Sequence, residues 1–126
     1  MEISAIKNEQ TFGAKIVNNK AFLEVVNYAE KNSMLRDLDI ALNNLSNANS
    51  GDILIIHGKT PNGIYSSFNM NKRSVQNMTN GAKSPEESSF NALIELGDLE
   101  RKFKKLVGGK IESKLNAADL IKKYGA

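Results

Sequence analysis

The chain contains no cysteine and no tryptophan, only two prolines, and no long apolar run. Without cysteine there is no disulfide framework, no thiol nucleophile and no thiolate metal site. The longest wholly apolar run, Ile53-Leu54-Ile55-Ile56, falls far short of the roughly 20 residues of a membrane-spanning helix. The first residues carry neither the basic n-region nor the apolar h-region of a signal peptide, so a soluble protein of the cytoplasm is expected. A single histidine leaves metal binding to carboxylates and carbonyls, and no aspartate-rich loop of calcium-binding spacing is present. Gly58 and Gly63 flank a turn and Gly108-Gly109 follows a helix, so no glycine loop opens a helix to cradle phosphate. Neither a metal nor a cofactor is expected.

What is present suits one globular domain. The length of 126 residues matches a single core of about 100–150 residues, and 40% hydrophobic with 25% charged residues is ordinary for a folded chain. With five Phe and three Tyr, the core must be mainly Ile, Leu and Val. The net charge is +3, unevenly spread: from Arg101 onward eight bases face two acids, while the first hundred residues carry nine bases and twelve acids. The expected organisation is a single domain over 1–126, with 110–126 a basic C-terminal segment that could detach. Its charge fits either an anionic partner or a solvated lysine-rich helix face.

Periodicity places the elements. Ile3 and Ala5, then Phe12, Ala14 and Ile16, alternate as two short strands of a hairpin. Asn18 or Asn19 can cap a helix with Phe22, Leu23, Val25, Val26 and Ala29 on its apolar face, ending near Asn32. Ser33 could cap a second helix bearing Leu35, Leu38, Leu42 and Leu45; one kinked helix is the alternative. Ile53 to His57, apolar on both faces, reads as a central strand covered on both sides. Thr60-Pro61-Asn62-Gly63 is a turn, and Ile64, Phe68 and Met70 then alternate with polar positions, making a second hairpin. Ser74 to Met78 is a further candidate strand. Ser84-Pro85-Glu86-Glu87 starts a long helix whose stripe runs Phe90, Leu93, Leu96, Leu99, Phe103 and Leu106 as far as Gly108-Gly109. Gly97 inside it suggests a close contact with another element. Ile111, Ser113 and Leu115 could form a short strand, and Asn116 with Asp119 caps a short final helix that needs something to dock on. The fold class is therefore α+β: a small antiparallel sheet of two hairpins against two to three longer helices, with a short C-terminal helix.

Few polar groups could carry chemistry. His57 ends the apolar strand, and Lys59 and Tyr65 come from the same hairpin. A histidine base with a cation and a hydroxyl nearby could support RNA transesterification. In outline the arrangement resembles small bacterial ribonuclease toxins, where N-terminal helices precede a meandering sheet that carries the site. His57-Gly58 followed by Tyr65 is also similar to the pair that holds the nicotinamide cofactor in histidine–tyrosine–glutamate ADP-ribosyltransferases, although the spacing is short and no glutamate motif follows. The order helix, three strands, helix is that of a double-stranded-RNA-binding domain. That family places lysines at the start of its last helix, whereas this chain has Glu86 and Glu87 there, and the match is rejected. The candidate anion-binding residues are Arg101, Lys102, Lys104, Lys105 and Lys110.

No constellation converges on a reacting atom. The reading that follows is a non-enzymatic binding or regulatory module acting through a protein surface, with self-association as one form of it. The alternatives are a nucleic-acid-binding protein using the basic C-terminal segment, and a small ribonuclease centred on His57.

Overall fold

A computed structural model of the chain describes residues 14–48, 51–70, 73–76, 81–104 and 115–126. The elements run β1 (Lys15–Ile16), α1 (Lys20–Lys31), α2 (Leu35–Ala48), β2 (Asp52–Thr60), β3 (Gly63–Met70), β4 (Arg73–Gln76), α3 (Pro85–Lys104) and α4 (Ala117–Tyr124). Strands and helices are segregated, and the fold is α+β.

Local chemistry sets the helix ends. Asn19 caps α1, its side-chain oxygen accepting from the Phe22 amide at 2.9 Å. At the other end Ser33 takes a positive φ of 59°, its amide donates to Glu30 O, and the Met34 amide donates to Ala29 O at 2.7 Å. These two bonds make a Schellman termination, so Ser33 ends α1 rather than capping α2. The segment is thus two helices. Ser84 caps α3 by accepting from the Glu87 amide at 3.2 Å, while the Glu87 carboxylate accepts from the Lys83 amide. Asn116 and Asp119 form a reciprocal capping box at the start of α4.

The sheet has the order β1-β2-β3-β4 and differs from two antiparallel hairpins. Ile3 to Phe12 of the expected first hairpin lies outside the described residues. Lys15–Ile16 is a strand, but it pairs in parallel with β2, Lys15 against Asp52 and Ile16 against Ile53. The reason is connectivity: α1 and α2 lie between these strands and carry the chain back across the sheet, as a parallel pairing requires. β2 and β3 form the expected antiparallel hairpin from Ile53↔Met70 to Thr60↔Gly63, and β4 adds antiparallel to β3. The possible strand at Ile111 and Ser113 lies outside the described residues.

All the described helices pack on one face of the sheet or on each other. Ile53, Ile55, Phe68 and Met70 point into this layer and are buried with Phe22, Leu38, Leu42, Leu45 and Leu93. The opposite face is open: Ile56 is 40% and Tyr65 37% exposed. Among the described residues β2 is therefore central but covered on one side only, which differs from the expectation of two covered faces. Its apolar run overstated burial because the described helices form one layer.

α4 docks on the same chain. Leu120 and Tyr124 are buried, the latter with its hydroxyl 2.5 Å from Asp39 Oδ1. Beyond it, Gly125 bridges in parallel to Ile16, and the Ala126 amide donates to Ile16 O at 2.6 Å. Among the described residues no helix is long and apolar enough to cross a membrane.

Candidate functional site

His57 sits on the helix-covered face of β2, and the fold closes around it. Its Nδ1 lies 2.8 Å from Ser89 Oγ on α3, and its Nε2 lies 2.8 Å from Glu24 Oε1 on α1. Its side chain is 5% exposed, while that of Glu24 is 40% exposed. A carboxylate can only accept, so Nε2 donates to Glu24, and in the neutral ring Nδ1 then accepts from the Ser89 hydroxyl. Both ring nitrogens are thus occupied by the protein's own groups. The same trio of residue types serves hydrolases, but there the serine must meet a substrate. Ser89 is fully buried, in the second turn of α3. Beside it Ser88 Oγ lies 3.1 Å from Ser66 Oγ, both also buried. Together these groups form a polar seam that fixes α3 to the sheet and to α1.

The other residues nominated with His57 do not join it. Tyr65 pairs with Gly58, one position on from His57, so its ring lies on the open face of the sheet. A methyl group added to Gly58 would come within 2.5 Å of the Tyr65 hydroxyl. Lys59 shares the face of His57 by strand alternation but is exposed at the sheet's end. A surface hollow of about 430 Å³ does border His57, lined also by Asn19, Lys20, Glu24, Pro85 and Glu86. Its polar side chains are His57 itself, the Asn19 cap, the base Lys20 and the acids Glu24 and Glu86. Of the basic candidates, Arg101, Lys102 and Lys104 fall in the last turns of α3, while Lys105 and Lys110 lie outside the described residues.

A second surface was not nominated by the sequence. α2 and α3 touch at Gly97 and Ala41, so closely that a Cβ on Gly97 would lie 2.8 Å from the Ala41 Cα. From that contact a groove of about 570 Å³ runs between the helices toward Met34 and Phe90. Its floor is Met34, Ile40, Ala41, Phe90 and Ile94; its rim is Asn91 and three acids, Asp37, Glu95 and Asp98. The acids are exposed, Phe90 and Ala41 buried, and Ile40 and Ile94 half-buried. Phe90 is braced from below by Tyr28, ring centroids 5.4 Å apart and tilted by 55°. Burial, then the carboxylates of Glu87 and Glu86, pushes the Tyr28 phenol above its ordinary value, so this prop stays uncharged. Pockets that take ligands span roughly 300–1,000 Å³ and are mostly apolar, and the groove falls within that range.

The missed signal was the width of the apolar arc. Met34 just before α2, Ile40 and Ala41 on α2, and Ile94 on α3 stand beside the main stripes rather than on them. Such a second stripe asks for a second partner.

Among the described residues no three His, Cys, Asp or Glu side chains are grouped to hold a metal ion. No known protein family, no curated protein and no solved structure matches the chain. Its function must be read from its own chemistry.

Proposed function

We propose that this is a non-enzymatic binding module of the cytoplasm that takes a protein partner in the groove between α2 and α3. The observation that carries the reading is apolar floor left open between two helices, on a chain whose single histidine is enclosed by its own side chains. An apolar patch rimmed by polar groups is the ordinary form of a protein-interaction site. Self-association through the groove is the homo-oligomeric form of the same reading, and light scattering across a concentration series distinguishes it.

Photo-crosslinking tests the proposal. A benzophenone amino acid at Asn91 or Ile40 should trap a discrete protein adduct in cells, while the same group at Asn27, exposed on α1 away from the groove, should not. Adducts of equal yield at all three positions, or none at either groove position, would overturn it.

A further inference from the structure

We infer that the occupant of the α2–α3 groove is an amphipathic helix whose apolar stripe is flanked by lysine or arginine. This rests on the reading of the groove as a protein-binding surface and adds the chemistry of the partner.

The walls decide its backbone form. Both are helices, whose amides and carbonyls are already paired along their own axes, so the groove offers side chains and few free backbone groups. An extended peptide laid there would leave its own amides and carbonyls without partners, a cost that a helix avoids by satisfying them internally. The lining stretch of α3, from Phe90 to Asp98, covers about two helical turns. Anchors from a bound helix at spacings of three and four would meet it along that length.

The rim decides its charge. Asp37 stands on the α2 wall, and Glu95 and Asp98 on the α3 wall, with no basic side chain among the lining residues. Carboxylates on both sides of an apolar floor match cations on both flanks of an apolar stripe. The first hundred residues carry twelve acids against nine bases, and three of those acids stand on this rim. The same sign repels nucleic acid and anionic lipid. Long lysine and arginine stems also cover apolar surface on the way to the acids.

The test uses three fluorescein-labelled peptides of about 18 residues, long enough to hold helical structure in water. One carries a leucine stripe flanked by lysine, the second replaces each lysine with glutamate, and the third scrambles the first. Anisotropy should show the lysine peptide binding at least about tenfold more tightly than either of the others. The combined Asp37→Lys, Glu95→Lys, Asp98→Lys protein should reverse the preference between the first two; its melting curve checks that the fold is intact, as expected for exposed positions. A single-site Ile94→Glu protein should lose the lysine peptide by a similar factor. Equal binding of the lysine and glutamate peptides, or no response to the charge reversal, overturns the basic partner. Equal binding of the scrambled peptide overturns the helix. Either result leaves the crosslinking outcome untouched, so the two proposals fail separately.

Discussion

Ser33 holds the only positive φ outside glycine among the described residues, 59°, in the turn between α1 and α2. An L-residue there carries about 1–2 kcal/mol of steric strain, and glycine would relieve it at about 0.4–1 kcal/mol of added unfolded-state entropy. Ser33→Gly should therefore raise stability by about 0.5–1 kcal/mol in urea titration. Gly97 shows the opposite balance. Alanine would gain about 1 kcal/mol of helix propensity, yet its methyl meets the Ala41 backbone at 2.8 Å, which cannot swing aside. Overpacking of this kind costs about 1–3 kcal/mol, so Gly97→Ala should destabilise the fold by about 1 kcal/mol net. His57 separates structure from catalysis. Removing its ring strips Ser89 and Glu24 of a partner, and His57→Ala should lower stability by about 1–3 kcal/mol. RNA cleavage measured beside it should be the same as for the unmodified protein; loss of cleavage would restore the ribonuclease reading.

Among the elements, α4 shows how a short helix is kept. Eight residues are marginal alone, and this one is held by Leu120 in the core and by Tyr124 and Lys123 on the buried carboxylate of Asp39. Burial first, and then the bond to Asp39 and its charge, drives the Tyr124 phenol far above the ordinary tyrosine value of 10.0. The neutral hydroxyl is the form the fold binds. Below about pH 10 both folded and unfolded chains keep that proton, and the bond contributes fully. Above it the unfolded chain releases a proton that the folded chain retains, and stability falls by up to about 1.4 kcal/mol per pH unit. Tyr124→Phe should cost about 1–2 kcal/mol at neutral pH, and denaturant titrations from pH 8 to 11 should show that gap closing as alkalinity rises. The helix ends were legible beforehand because caps are local: Asn19, Ser84 and Asn116 each bond within three residues. The buried face of α3 was not. Phe90, Leu93, Leu96 and Leu99 recur at strict intervals of three, and on a helix of 3.6 residues per turn each step turns about 60° away from the last. By Leu99, 47% exposed, the series has gone half way round, while Gly97 takes the buried position.

For the whole molecule, the one layer formed by the described helices explains both what composition revealed and what it hid. Class and element order follow from alternation and turn chemistry, which act over a few residues. The surroundings of His57 come from Glu24 and Ser89, 33 and 32 residues away, and no spacing rule joins them. The groove likewise exists only once α2 and α3 lie side by side. Tyr65 was misjoined to His57 for a related reason: proximity in a hairpin says nothing about face until the register is known, and Gly58↔Tyr65 puts the ring behind the sheet. The contact at Gly97 and Ala41 has a mechanical consequence. With no side chain on Gly97 and only a methyl on Ala41, that crossing acts as the rivet of a pair of calipers. Any rotation of α3 against α2 about it would leave Ala41 in place and swing the jaws at Met34 and Phe90, so anchors of different bulk could be gripped without prising the rivet apart.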